Sequence, residues 1–414
     1  MKKTFLLFLL GFIAFSLIGC TAAIPTKNNS VTPQTQTSLQ ETATDSPSSS
    51  HSVVSEPVES QPTVSQTLPP SATTSQPPVS SKPSTPASKP PEKPKPIPDT
   101  NLTDIVQYTK RPSYQSVQSE IAALAQAYPE LIQTESIGSS VQGRDISLVK
   151  LGKGETKACI IGGIHARETI TVSYTMRCIE EFCIAYTQND SIGSFDVKTL
   201  LDTYTLYMVP LSNPDGLEIV TGRDTPAVTV TYRKKQYSHE YTTISDYKGN
   251  ANGVNLNKNF PLLWEKINNK VNTPDAENYK GPGAASEPET QALMQLCENN
   301  QFVFMTSIHV KGDCLYWSDT LNPNVGVSQT IANRLEREYG FYKCKTSDDV
   351  NGFGGGFENW FRETYKRPGF CLELMPLTET VDPLSDVNHT YFSNTVRWNK
   401  SKAVLSLIMT YCKP

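Results

Sequence analysis

The chain has 414 residues, 37% hydrophobic and 19% charged, and a formal net charge of −4. It carries no basic block of the size that grips a phosphate backbone, which argues against a nucleic-acid partner. None of its nine cysteines has the CxxC spacing of a thiolate metal site, so a metal, if bound, must use other donors.

In chain order, Lys2 and Lys3 precede an apolar stretch from Phe5 to Ile18, the layout of a secretory signal. That stretch is shorter than the roughly twenty apolar residues of a transmembrane helix. It ends Leu17-Ile18-Gly19-Cys20, which resembles a bacterial lipobox, with cleavage before Cys20 and lipid on its thiol. An ordinary signal with an incidental cysteine is the alternative. From Thr21 to about Asp99 the chain is Ser, Thr, Pro and Gln with few large apolar residues. Such a segment cannot bury enough surface to offset its ordering entropy and is expected to be a disordered tether. The expected organisation is a signal over 1–19, a lipidated tether over 20–99 and a catalytic domain over 100–414. The protein is expected to be a monomer, exported and held at the outer face of the cell membrane.

Within the folded part, Val117, Ile121, Leu124 and Ala127 recur at helical spacing, which predicts a helix over 114–128 that Pro129 ends. Strand-like runs follow at 131–137, 146–151, 158–164, 203–209, 302–308 and 369–374. Helical segments are predicted at 169–189, 287–299, 325–339 and 395–412. Helices alternating with apolar strands argue an α/β architecture with a largely buried mixed sheet. An exported domain permits disulfides, yet Cys159 and Cys371 fall in runs that read as buried, where thiols behave as small apolar groups.

The chemistry concentrates at strand ends. After Ala158-Cys159-Ile160-Ile161 come two glycines and then His165 and Glu168, an imidazole and a carboxylate three residues apart. The run Phe302–Ile308 ends in His309, as parallel strands delivering ligands to one sheet rim would do. The run from Gly369 holds Glu373, which strand alternation points away from Phe370, Leu372 and Leu374. Singly, each admits a plainer reading, a satisfied core histidine or an edge-strand glutamate. Together they supply the His/Glu/His donor set of a catalytic zinc and a lone carboxylate for general-base work. His51, His239 and His389 have no partner pattern and are expected at the surface.

These residues sit among segments that resemble the zinc carboxypeptidases of the carboxypeptidase A superfamily, in the bacterial branch with γ-D-glutamyl-diamino-acid peptidases. The segments are Ser140–Ile146, Asn213-Pro214-Asp215-Gly216, Asn250–Pro261, Ala285–Thr290, Tyr316-Trp317 and Gly354–Trp360. The resemblance implies a mixed eight-stranded sheet flanked by helices and one zinc held by His165, Glu168 and His309. It implies Glu373 as the catalytic base. It assigns the oxyanion cation to Lys248, in Asp246-Tyr247-Lys248-Gly249-Asn250, with Arg233 as the competitor. Arg167 matches a substrate-contacting arginine. The family's Asn-Arg carboxylate clamp stands here as Asn257-Lys258, and lysine offers one compact charge where arginine offers a bidentate fork. Glu358 falls where relatives set leaving-residue specificity, and an acid there points to lysine, ornithine or diaminopimelate; a solvent-facing loop glutamate is the alternative. The family's mobile tyrosine has no counterpart in Asp348–Phe353.

Three functions follow from this reading. The first is a surface-anchored metallopeptidase that cuts cell-wall stem peptides beside a diamino acid. The second is a general zinc carboxypeptidase that takes C-terminal residues from peptides. The third is a non-catalytic wall-binding lipoprotein.

Overall fold

The computed structural model describes residues 105–232, 243–377, 385–394 and 396–413. The predicted signal, Cys20, the tether, His51, Arg233 and His239 lie outside these residues.

Helix α1 (Tyr114–Ala127) starts at Ser113, whose hydroxyl accepts from the Ser116 amide at 3.0 Å while the Ser116 hydroxyl accepts from the Ser113 amide at 2.9 Å. This reciprocal cap satisfies two amides that a helix start leaves unpaired. Val117, Ile121 and Leu124 bury the inward stripe, and Pro129 follows the helix end.

Ten strands follow among the described residues. They are β1 (Ile132–Ser139), β2 (Asp145–Gly152), β3 (Thr156–Ile161), β4 (Ser191–Ile192), β5 (Phe195–Asp196), β6 (Tyr204–Val209), β7 (Met305–His309), β8 (Cys314–Ser318), β9 (Tyr342–Lys345) and β10 (Gly369–Glu373). Eight form one sheet in the order β1-β2-β6-β3-β7-β10-β8-β9, and β4 and β5 pair separately. The central strands β6, β3, β7 and β10 run parallel, while β2 and β8 join them antiparallel. Burial explains this order. β7 is buried throughout and β3 through its last four residues, whereas the edge strands β1 and β9 are mostly exposed and polar. Edges blunted by charge discourage pairing with other chains.

The pleat divides the core in two. Ala158, Ile160, Leu206, Met208, Phe304, Ile308, Phe370 and Leu372 face one cluster. It is covered by α2 (Thr169–Gln188), α3 (Val197–Thr203), α6 (Ser328–Tyr339) and α11 (Val404–Tyr411). Cys159, Ile161, Tyr207, Val209 and Met305 face the other, with α5 (Pro288–Glu298) and α8 (Phe357–Tyr365). Between them in sequence lie α4 (Pro214–Val220), α7 (Val350–Phe353), α9 (Asp386–Asn394) and α10 (Val396–Ser401). The fold is the expected mixed eight-stranded sheet flanked by helices. The eight cysteines from Cys159 to Cys412 are thiols, all but Cys344 buried. Among the described residues no helix is long and apolar enough to cross a membrane.

Three expectations need correction. The third strand stops at Ile161, not residue 164, because Gly163 at φ 65° takes the chain out of the extended region. The single helix expected over 395–412 is two shorter ones, α10 and α11. Val404–Met409 is buried on every side while Asn399 is exposed, so one straight axis cannot serve both stretches. His389 is buried, not at the surface: Thr169 and Ser173 meet its two ring nitrogens at 3.1 and 2.9 Å. Burial pushes its pKa down to about 4, so it is a neutral strut between α2 and α9.

Candidate active site

The parallel strands end at one rim, and their register sets the spacing of the site. Glu373 is paired with His309, and Ile161 with Ser307. Ligands in α/β sheets gather at such carboxyl ends. Beyond Ile161 the chain must turn at once. A Cβ on Gly162 would meet the Thr175 hydroxyl at 2.6 Å and the Thr171 carbonyl at 2.9 Å, so only glycine lets the loop fold over the start of α2. His165 then faces the rim, and Glu168 occupies the N-cap of α2.

Three donors converge there. His165 Nδ1 lies 2.9 Å from Glu168 Oε1, and His309 Nδ1 lies 3.1 Å from Glu168 Oε2 and 3.2 Å from His165 Nδ1. Two imidazole nitrogens facing one carboxylate at these distances is a donor set that fits a zinc ion. Buried His165 Nε2 has no hydrogen-bond partner, while Ser307 Oγ holds His309 Nε2 at 2.8 Å and fixes that ring. Burial, aided by the charge of Lys248, pushes His165 down to about 3. Burial works the same way on His309, but the Glu168 carboxylate outweighs it and raises the imidazole to about 9. Burial alone would raise Glu168; the two histidines instead hold it well below the usual carboxylate range.

Glu373 accepts from the Lys311 amide at 2.5 Å, and its Oε1 lies 3.8 Å from Cys371 Sγ. Gly312 packs against it: a Cβ there would sit 2.9 Å from the Cβ of Glu373. Burial pushes the Glu373 carboxyl up to about 8, with the charges of Glu168 and Glu358 adding to it and those of His309 and Lys248 opposing it.

Beside these groups lies a pocket of about 260 Å³, lined by His165, His309, Glu373, Asn257, Tyr316, Glu358 and Cys371, with Thr346, Ser347, Gly352 and Asn359. Glu358, in the first turn of α8, is buried and not solvent-facing. Its Oε1 accepts from Asn359 at 3.3 Å, and its Oε2 has no hydrogen-bond partner. The helix is anchored from below by Arg362, fully buried, whose Nε meets Asp319 at 2.9 Å. Breaking such a buried pair from one side costs about 3–5 kcal/mol, so Glu358 is held on a firm base.

Asn257 Oδ1 accepts from the Phe357 amide at 2.7 Å, tying the pocket floor to the start of α8. Lys258 Nζ donates to the carbonyls of Asn351 and, at 3.1 Å, Gly352. Burial, with repulsion from Lys248, lowers its ammonium to about 8. Residues 350–353 form the short helix α7, and among the described residues the one tyrosine lining the pocket is Tyr316.

The remaining motifs turn out to be scaffolding. Asn213 caps α4 through the Gly216 amide at 2.9 Å and reaches the carbonyls of Ile164 at 3.2 Å and Gly249 at 3.0 Å. One side chain thereby fixes the His165 loop against the Lys248 loop. Asp215 gathers the Ser140 hydroxyl, the Gln142 amide and Arg144. Asn250 bridges to Glu287 at 2.8 Å and Glu289 at 3.0 Å. Arg167 and Lys248 meet at Glu277, which the sequence reading missed. It lies in an aperiodic stretch, Thr273–Asn278, where neither spacing nor hydropathy marks it.

The zinc carboxypeptidase family (Peptidase_M14) matches residues 117–379. The chain is 29% identical over 280 residues to γ-D-glutamyl-L-diamino acid endopeptidase 1 of Lysinibacillus sphaericus, covering 67% of this chain and 69% of that one. It is 31% identical over 285 residues to human carboxypeptidase B, covering 64% and 63%. Its fold resembles the crystal structure of thrombin activatable fibrinolysis inhibitor with a TM-score of 0.58 at 17% identity, over 76% of this chain and 77% of that one. Because the family match spans more than half the chain, the protein belongs to the zinc carboxypeptidases, hydrolases that cut peptide bonds with one zinc ion.

Proposed function

We propose that this metallopeptidase hydrolyses cell-wall peptides on the amino side of a diamino residue, as an exported enzyme tethered to the membrane. The observation that carries the reading is Glu358, a buried acid whose Oε2 has no hydrogen-bond partner, in the same pocket as His165, His309 and Glu373. A buried carboxylate is costly unless a cation meets it, and the side-chain ammonium of a diamino leaving residue is such a cation. The likeness to an endopeptidase named for the γ-D-glutamyl-L-diamino acid bond supports the same class.

The roles follow. His165, Glu168 and His309 hold the zinc, which when bound polarises the scissile carbonyl and acidifies the attacking water. Glu373 takes the proton from that water and passes it to the leaving amine. Lys248 faces the developing oxyanion. Asn257 and Lys258 receive the leaving residue's carboxylate, Glu358 its ammonium, and Arg167 contacts the acyl portion.

Glu358→Gln is expected to lower kcat/KM for lysine or diaminopimelate leaving residues by about 30-fold or more, the scale of truncating one partner of a desolvated charge pair, and to change phenylalanine substrates little. Equal losses on both classes would reject the assignment. The likeness to carboxypeptidase B favours a second reading, removal of C-terminal residues from ordinary peptides. Cleavage of such peptides with stem peptides left intact would establish it instead.

The surface location rests on Lys2, Lys3, the apolar run and Cys20. With Cys20→Ser the lipid-accepting thiol is gone, and the protein should move from the membrane pellet to the soluble fraction. Retention of the variant in the pellet would reject lipid anchoring.

A further inference from the structure

Residues 105–112 run ahead of α1 as an irregular strap, and side chains of the body hold it in place. The Ile105 and Val106 amides both donate to Glu180 Oε1, at 3.0 and 3.3 Å, and the Gln107 amide donates to Glu120 Oε1 at 3.2 Å. Further along, the hydroxyls of Ser393 and Thr390 in α9 donate to the Tyr108 and Thr109 carbonyls at 3.0 and 3.2 Å. The Arg111 amide donates to Asp386 at 2.8 Å. Each of these bonds joins strap backbone to a body side chain, so the state of those side chains sets how firmly the strap is seated. Beneath it lies a cavity of about 230 Å³, walled in part by Val106, Val117, Glu120, Val172, Ser173 and Met176. A void removes dispersion contacts between strap and helices, which leaves the polar bonds a larger share of the seat. Val172 and Ser173 belong to the first turns of α2, just beyond Glu168, so the strap closes the back of the helix that follows a metal donor.

The two acids at the leading end of the strap are carboxyls kept from water. Glu180 and Val106 are both buried. Burial pushes the Glu180 carboxyl up to about 7 against the pull of the two amides, and the charges of Glu181 and Glu120 add to the rise. Burial likewise takes Glu120 up to about 7, opposed by the Gln107 amide. Tyr128 and Cys183, which also face Glu180, are pushed up by burial and stay neutral. The charged side chains that share the cavity with Glu120 are Lys110 and Arg111 of the strap itself. Lifting the strap returns water to both carboxyls, which then fall back towards about 4.3. Seating the strap therefore binds protons. The contribution of these groups is full below the unseated value of about 4.3 and is lost as pH rises through about 7.

We propose that the leading end of the strap, residues 105–107, is a pH-operated latch, seated while Glu120 and Glu180 are protonated and released when they ionise. Release opens the cavity behind α2 and frees the first residues of the domain. The latch stands apart from the substrate reading above, since neither acid lines the pocket that holds Glu358 and Glu373.

The test is amide hydrogen exchange on the full chain, read on peptides that contain residues 105–107 and corrected for the intrinsic pH dependence of exchange. Protection should fall about ten-fold or more as the pH is raised from about 6 to about 8, the change that linkage gives for carboxyls displaced between these values. Peptides covering Met305–His309 should keep their protection over the same range. Glutamine stands in for the protonated acid, since its carbonyl oxygen can still accept the strap amides. Glu120→Gln and Glu180→Gln should each remove about half of the logarithmic fall, and the double variant should show none. Should the double variant not fold, the parent and the single variants decide the matter. Protection in the parent that does not change with pH would overturn the latch. So would an undiminished fall in both single variants, which would pass the effect to Asp386 and α9, or a parallel loss at 305–309, which would make it a loosening of the whole domain.

Discussion

Glu373→Gln is expected to keep its zinc and lose at least two orders of magnitude in kcat, since general-base catalysis contributes about 10²–10⁴-fold. The substitution is nearly isosteric, and its amide oxygen can still accept from the Lys311 amide that holds Glu373 at 2.5 Å. What changes is the ability to take a proton. Steady-state kinetics alongside metal analysis check the expectation; a variant with most of its kcat would move the base role elsewhere.

His309→Ala should leave the folded protein with far less than one zinc per chain after dialysis. Even the loss of an outer hydrogen-bond partner typically weakens a metal site by about 10–100-fold, and here one of three donors is removed outright. His165 and Glu168 remain, three residues apart on one loop, but two donors do not make a closed set. Unchanged occupancy by metal analysis would exclude His309 from the ligands. The Ser307 hydroxyl, 2.8 Å from His309 Nε2, is the side chain the truncation leaves without its partner.

The sheet and its rim were legible because the same residues carry both signals. Cys159–Ile161, Phe302–Met305 and Phe370–Leu372 are apolar runs that suit a buried sheet, and within four residues each is followed by a polar residue that burial would penalise. His165, His309 and Glu373 could therefore be picked out, and the structure brings them together. Glu277 was invisible because its meaning lies in two cations, 29 and 110 residues away in sequence, that only the fold delivers. His389 was misread for a related reason. Its partners, Thr169 and Ser173, are one turn apart on α2, and nothing around residue 389 hints at them. Strand β9 escaped notice because it is short, polar and exposed, whereas β8 was missed although Cys314–Trp317 is an apolar run as long as those of β7 and β10. The resemblance drew attention to Glu358; the structure buries it in the pocket beside His165 and Glu373, on the helix held by the Arg362–Asp319 pair, which no local pattern announces.

The register of β7 against β10, which sets His309 opposite Glu373, also decides when the site fails. Catalytic groups on loops can be lost through local fraying that leaves the rest of a protein folded. Here the spacing between a metal donor and the base is set by a ladder of backbone hydrogen bonds at the centre of the sheet. Central strands open only near the full unfolding free energy, so the His309–Glu373 half of the site persists until the sheet itself melts, and any earlier loss of activity must come from the loop that carries His165 and Glu168. The same coupling makes free metal a stabiliser of the whole fold: at a concentration a thousand times its dissociation constant, a ligand that binds only the native state adds about 4 kcal/mol. In a compartment poor in zinc the protein would lose folding stability together with activity, and metal supply would regulate its lifetime as well as its rate.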